Sequence, residues 1–377
     1  MDNFSIKNQS PYNKKIISIE KELYDLNEEL AHTLSLDKKT NLLMTSLGNS
    51  IATGYSMKDM IKPLLMRNED LPSILRMYNI STELHSYARA QNNNDDRIFE
   101  WINSNIKESE INKQVHMDFG SESTSMQTKE FTQEDLDKYY PIDLKKDIGV
   151  KDVIKYNQED TANIIVYNGY TGSFLDNITR KGKHYNLYGF KRDLISLEAV
   201  LKQIYHTNPN TQVYVCGVPN LLKIDLTDLV NKNLKKVCKL YPNVTYVSSA
   251  PGNLIYNIEG HITIDPHHSM FEYLLLNKNI ISAIKNNYFK NKMFIEFDQL
   301  LRKYSKIGEF QNHDIRNDKV VIDAIVTNLF NKYHQYITKK DLKELVNFFK
   351  EKYPHDYYYT NKKATLDALK RETKNKS

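Results

Sequence analysis

Residues 41–55 read NLLMTSLGNSIATGY and contain the strongest indication of the fold. The compact apolar run Leu42-Leu43-Met44 leads into the turn Ser46-Leu47-Gly48-Asn49-Ser50, and a helical pattern follows beyond Tyr55. A short buried strand, a tight turn and a helix are the parts of a parallel α/β unit. The stretch therefore predicts the first strand of a parallel sheet.

Similar short apolar runs recur later in the chain, at 163–167 (NIIVY), 212–216 (QVYVC) and 244–247 (VTYV). Helical patterns over 192–205 and 226–240 separate them. Strands linked by crossover helices form parallel sheets. We therefore predict an α/β fold.

Three further regions surround this predicted core. A helical stripe over 14–35 indicates a helix in an N-terminal segment, 1–40; the helix packs on its own domain or, alternatively, forms a homodimer seam. The α/β domain is predicted over 41–287, with an insertion at about 104–160 where the periodicity fades. Successive helical stripes predict a helical C-terminal region, 288–377, in which Thr338 and Asp341 resemble a capping box.

Composition excludes several classes of protein. Hydrophobic residues make up 40% of the 377 residues, enough for a substantial core. The net charge of +5 gives little reason to expect a nucleic-acid partner. No apolar run approaches the roughly 20 residues that cross a bilayer, so no membrane segment is expected. The first residues lack the apolar core of a secretory signal, which favours the cytoplasm. The two cysteines, Cys216 and Cys238, are expected to be core thiols in a reducing compartment.

Ser50 lies where the first predicted strand turns into a helix. Open α/β sheets bind ligands at this carboxyl edge, and the N–H groups of a helix N-terminus can stabilise a developing oxyanion. Serine is also a common N-cap residue, which is the structural alternative.

A second candidate segment is Ile264-Asp265-Pro266-His267-His268-Ser269, which precedes a helical pattern. Asp265 and His268 are three residues apart and can contact each other. A neutral serine needs a base such as imidazole, and the imidazole needs a carboxylate to fix its tautomer. A metal pair is the rival interpretation, but no further ligands lie nearby, and no phosphate loop or dinucleotide motif was found. The sequence therefore implies neither metal nor cofactor.

Both segments resemble the SGNH, or GDSL-type, hydrolase superfamily. Its first block, Gly-Asp-Ser with Ile-x-x-Gly after it, corresponds to Gly48-Asn49-Ser50 followed by Ile51 to Gly54, where Asn49 replaces the usual Asp. Its last block, Asp-x-x-His, matches Asp265 to His268. The resemblance covers about residues 40–286 and implies a three-layer, flavodoxin-like fold with Ser50 as nucleophile, His268 as base and Asp265 as the orienting acid.

The two middle blocks of that family diverge here. Gln91 lies near the position of the block-two glycine, and Thr171 takes the place of the block-three asparagine, after Gly169. In the family these positions supply oxyanion donors, so the resemblance assigns that role to Gln91, Asn92, Gly169 and Thr171. The amide of Asn168 is an alternative donor, and the asparagines at 92–94 alternatively cap a helix.

The sequence favours an SGNH-type esterase that cleaves a carboxylic ester of a small molecule, a carbohydrate or a lipid through an acyl-enzyme. The alternative is a non-catalytic relative that binds a carbohydrate, a peptide or a protein. Retention of Ser50, Asp265 and His268 together favours the enzyme, because a binding module does not need that combination.

Overall fold

The structure of this protein is a computed structural model. The described residues are 11–48, 51–52, 54, 64–86, 158–169, 194, 197–198, 201–202, 204–205, 208–219, 226–251, 255–258, 261–264, 268–305, 319–338, 340–341 and 344–345. Within this part of the chain, no helix combines the length and the apolar character that crossing a bilayer requires.

The predicted N-terminal helix is present as α1 (Pro11–Leu36). Its apolar stripe is covered by the chain itself, since Leu23, Leu30 and Leu34 are at most 3% exposed. The side chains of Asn27 and Asn68 exchange two buried hydrogen bonds, of 2.7 and 3.0 Å. The helix therefore packs on its own domain, and the homodimer alternative stays a prediction.

A five-stranded sheet forms the centre of the fold, as the α/β prediction required. Its strands are β1 (Asn41–Gly48), β2 (Ser81–Ser86), β3 (Thr161–Asn168), β4 (Gln212–Cys216) and β5 (Val244–Val247). Their order is β2-β1-β3-β4-β5. β1 runs parallel to β2 and β3, and β3 runs parallel to β4. This is the flavodoxin-like order, so the predicted fold class is confirmed.

Short helices connect the strands. A 3-10 helix (Leu64–Arg67) and α2 (Asp70–Met77) precede β2, and α3 (Leu226–Cys238) precedes β5. The described positions between 194 and 205 are helical, as predicted for 192–205. Every residue of β1 after Asn41 is buried, as is every residue of β3 and β4. This explains why these strands are continuous apolar runs in the sequence.

β2 was not predicted from the sequence. It is an edge strand with the polar sequence STELHS, and its residues are half-buried or exposed. An edge strand with this exposure needs no continuous apolar run. The pattern that identified the buried strands is therefore missing.

A second, two-stranded sheet was also not predicted from the sequence. β6 (Ile255–Ile258) pairs antiparallel with β7 (His261–Ile264). The signal that could have found it is Glu259-Gly260 between two short runs containing isoleucine, since a glycine in a two-residue connection is typical of a hairpin.

The chain divides into two compact units. The first comprises 1–238 and 245–285, and the second comprises 239–244 and 286–377. A continuous helix, α4 (Met270–Ser305), replaces the separate helical stretches that the sequence patterns suggested, and α5 (Lys319–Tyr333) follows it.

The second unit has its own packed aromatic contacts. Phe289 stacks on Tyr336 with ring centroids 4.0 Å apart. The predicted capping box is confirmed, because the Thr338 N–H donates to Asp341 Oδ2 at 2.6 Å and the Asp341 N–H donates to Thr338 Oγ1 at 3.3 Å.

Candidate active site

The carboxyl ends of β1 and β3 form the topological switch point of the sheet, where open α/β folds bind their ligands. Gly48, the last residue of β1, pairs with Asn168, the last residue of β3. Ser50 follows Gly48 by two positions and lies outside the described residues. The strand that leads to Ser50 therefore ends at the expected edge of the sheet.

Gly48 is required at this point by the close approach of the two strands. Its φ is 151°, a value that other L-residues rarely adopt. A Cβ atom here would overlap the backbone carbonyl of Asn168 and would lie 2.8 Å from the Cβ of Ala52. Position 48 thus has a steric requirement for glycine.

The turn after Ser50 is held by its own backbone and by the 3-10 helix. The Gly54 N–H donates to the Ile51 carbonyl at 3.0 Å, and the Leu64 N–H donates to the Ala52 carbonyl at 3.0 Å. Ile51 and Ala52 are fully buried. The backbone next to Ser50 therefore has a defined path.

His268 lies two residues before α4 and is 1% exposed. The backbone beside it is fixed by one half of a capping box, which was not predicted from the sequence. The Ser269 N–H donates to Glu272 Oε2 at 2.7 Å, and the Tyr273 N–H donates to the Ser269 carbonyl at 3.0 Å. The ring of Tyr273 meets the His268 ring edge-on, with centroids 5.2 Å apart. The motif S-x-x-E at 269–272 was the available sequence signal.

Arg67 connects these two segments, which lie more than 200 positions apart. Its Nη2 donates to the Gly54 carbonyl at 2.6 Å, and its Nη1 donates to Met270 Sδ at 3.2 Å. Its guanidinium lies 4.9 Å from the centroid of the Tyr273 ring. The turn that follows Ser50 and the helix start that follows His268 therefore contact one side chain. The sequence indicated a buried role for Arg67 only weakly, through its position at the end of the apolar run LLMR.

Asn168 offers a buried amide at the switch point. It is 1% exposed, and its Nδ2 has no hydrogen-bond partner among the residues that the structure describes. Thr45 and Ser46 of β1 also carry buried hydroxyls without a partner in this part of the chain. An unpaired buried donor costs free energy, which makes the Asn168 amide a candidate for contact with a ligand atom.

The loop after β4 is clamped from the neighbouring helix and strand. The Gly217 N–H donates to the Val247 carbonyl at 2.8 Å. The side chain of Asn231 accepts from the Val218 N–H at 2.8 Å and donates to the Val218 carbonyl at 3.0 Å. This loop also lies at the carboxyl edge of the sheet, and these hydrogen bonds fix its backbone to β5 and α3.

The two cysteines are free and buried, as predicted for core thiols. Burial raises the pKa of the Cys216 thiol to about 12. Burial, followed by the nearby Cys216, raises the pKa of Cys238 further. Both thiols are protonated at neutral pH, so neither is an activated nucleophile.

Of the sequence-predicted site residues, the structure describes His268 and Gly169. Gly169 directly follows Asn168 at the end of β3, and His268 precedes α4. The other predicted residues lie outside the described part of the chain: Ser50, Gln91, Asn92, Thr171 and Asp265. Most of the predicted insertion at 104–160 also lies outside it. In the described part, no group of three His, Cys, Asp or Glu side chains could hold a metal ion.

Comparisons with known proteins find similarity to solved structures. No protein family model and no curated protein matches the sequence. A solved structure of a family two carbohydrate esterase from Clostridium thermocellum, in complex with cellohexaose, is similar with a TM-score of 0.35 and 13% sequence identity. The match covers 65% of this chain and 64% of that chain, which is less than two thirds of the esterase's length.

Proposed function

We propose that this protein is a serine hydrolase that cleaves a carboxylic ester through an acyl-enzyme formed on Ser50. The observation that supports this most strongly is the set of Arg67 contacts. They join Gly54, four residues after Ser50, to Met270, two residues after His268. This supports a common location for Ser50, His268 and Asp265 at the carboxyl edge of β1.

The proposed reaction needs three side chains. The Ser50 hydroxyl attacks the ester carbonyl while His268 accepts its proton, and Asp265 orients the imidazole and stabilises its charged form. In the tetrahedral intermediate, the bond between the former carbonyl carbon and the alcohol oxygen then breaks, and His268 gives the proton to the leaving alcohol. Water, deprotonated by His268, then attacks the acyl-enzyme carbonyl. The bond between the acyl carbon and Ser50 Oγ breaks, His268 returns the proton to Ser50, and the acid is released.

The developing oxyanion needs hydrogen-bond donors. We assign the Ser50 backbone N–H and the Asn168 amide to this role, because Asn168 is buried beside Gly48 with Nδ2 unpartnered among the described residues. Thr171 occupies the family position for the side-chain donor, but its hydroxyl has a shorter reach than an amide. Donation by Gly169, Gln91 or Asn92 stays a prediction from the sequence resemblance.

The substrate class proposed here is a small acylated molecule or an acylated carbohydrate. The direct assay is the release of p-nitrophenol from short-chain p-nitrophenyl esters by the purified protein. Ser50→Ala should remove nearly all of this activity, since the nucleophile is lost. Ser46→Ala is the matched control, because Ser46 is a buried serine four positions earlier in β1.

Covalent labelling identifies the nucleophile independently. A fluorophosphonate should modify Ser50 in the folded protein and leave Ser46 unmodified. Labelling at another serine contradicts the assignment. A folded protein that neither hydrolyses esters nor reacts with the fluorophosphonate would favour the alternative, a non-catalytic binding module.

A further inference from the structure

Arg67 is a charged residue in the interior of the first unit. It ends the 3-10 helix Leu64–Arg67 and is only 8% exposed. Burying a guanidinium costs free energy unless its contacts compensate for the lost hydration. The groups that Arg67 contacts therefore indicate why a cation occupies this position.

The Arg67 contacts reach two separate segments at once. Nη2 donates to the Gly54 carbonyl, Nη1 donates to Met270 Sδ, and the guanidinium lies by the Tyr273 ring. A guanidinium suits this arrangement because its planar fork serves two acceptors while its face contacts an aromatic ring. A lysine ammonium has no equivalent fork or face.

The backbone of the same 3-10 helix reinforces this connection. The Leu64 N–H binds the Ala52 carbonyl at 3.0 Å, and the Leu64 carbonyl accepts from Asn277 Nδ2 at 3.0 Å. Asn277 belongs to α4, seven residues beyond Met270. The 3-10 helix thus contacts both the turn after Ser50 and the first turns of α4.

We infer that Arg67 is a positioning residue of the proposed hydrolase site. It holds the turn that follows Ser50 against the start of α4, and thereby sets the separation between nucleophile and base. This role rests on the proposed function, because it presumes that Ser50 and His268 react together. A displacement of about 1 Å between reacting groups can cost about 10²-fold in rate.

The first test measures hydrogen exchange of the backbone by mass spectrometry. In Arg67→Met, the peptides containing Gly54 and Tyr273 should exchange about 10- to 100-fold faster, the loss expected when a hydrogen bond from a charged donor is removed. Arg67→Lys should show a smaller increase, since the charge and the stem remain. Arg76→Met is the matched control, because Arg76 is exposed on α2. In this control variant, the peptides containing Gly54 and Tyr273 should exchange at the wild-type rate.

The second test measures catalysis per active site. Fluorophosphonate titration counts the reactive sites, so the rate per site is independent of any loss of folded protein. In Arg67→Met we expect kcat per site to fall about 10²-fold with KM nearly unchanged, because positioning is lost while the ester-binding surface is kept. Arg67→Lys should recover part of this loss, and Arg76→Met should match the wild type.

The outcomes separate this inference from the proposed function. Unchanged exchange in both peptides of Arg67→Met overturns the inference, and so does a uniform increase along the whole chain. If Arg67→Met does not fold, the same comparison is made with Arg67→Lys. A normal rate per site in the variant overturns the positioning role and leaves the hydrolase standing. The wild type could lack both esterase activity and labelling while Arg67→Met still shows the local exchange effect. That result overturns the hydrolase, and the connection by Arg67 between Gly54 and the start of α4 still stands.

Discussion

Gly48 and Asn168 are paired at the carboxyl ends of β1 and β3, so closely that only glycine fits at position 48. The contact joins the strand that leads to Ser50 to the strand that ends in the buried Asn168 amide. Because the two residues belong to adjacent central strands, their separation depends on the strand register and not on a loop.

Gly48→Ala should destabilise the protein by about 2–5 kcal/mol. The added Cβ overlaps the backbone of Asn168, which cannot move away without disturbing the β1–β3 pairing, and φ at this position is unfavourable for alanine. Urea denaturation of the variant and the wild type measures the difference. An unchanged unfolding midpoint would show that the strands are not in contact at this point.

Asn168→Leu should reduce turnover without reducing stability. Removing one oxyanion donor costs about 10²–10³ in kcat. The free energy of unfolding should stay the same or rise, because the variant removes an amide whose Nδ2 lacks a partner among the described residues. Ester hydrolysis and urea denaturation of the same preparation check both parts. A variant with full activity would remove Asn168 from the site.

The Asn27–Asn68 pair should behave as one coupled unit. Asn27→Leu alone leaves the Asn68 amide buried without its partner and should cost about 1–3 kcal/mol. The double variant Asn27→Leu with Asn68→Leu should cost less than the two single variants together, because no polar group is left unpaired. A double-mutant cycle of unfolding free energies measures the coupling. Strict additivity would contradict the hydrogen-bonded pair.

Alkaline pH should destabilise the fold through its buried thiols. The pKa of Cys216 rises from 9.0 to about 12 on burial, so the native state keeps its proton where the unfolded chain loses it. The stabilisation is complete below pH 9 and is lost as the pH rises toward 12, at about 1.4 kcal/mol per pH unit for each such group.

Cys216→Ala tests the contribution of this thiol. The unfolding free energy of each protein is expressed relative to its own value at pH 8. Between pH 9 and 11 this quantity should fall less steeply with pH for the variant than for the wild type. Identical slopes would show that Cys216 does not keep its proton in the native state.

Much of the fold follows from local patterns in the sequence. β1, β3 and β4 were predicted because strands buried on both faces are short apolar runs, and α1 was predicted from its helical stripe. β2 was missed because an edge strand needs no such run. The β6–β7 hairpin was also missed, although Glu259-Gly260 between its strands is typical of a hairpin.

The sequence by itself determined β1, β3, β4 and β5 of the central sheet, because a strand pattern is formed by residues next to one another in the chain. For the same reason it determined the presence of a serine after β1 and of an acid–histidine pair before α4. Only the tertiary structure decided that Gly54 and Met270 share the guanidinium of Arg67, and that Asn168 lies beside Gly48. These contacts depend on strand order and packing between segments far apart in the chain, and no local pattern of side chains encodes them.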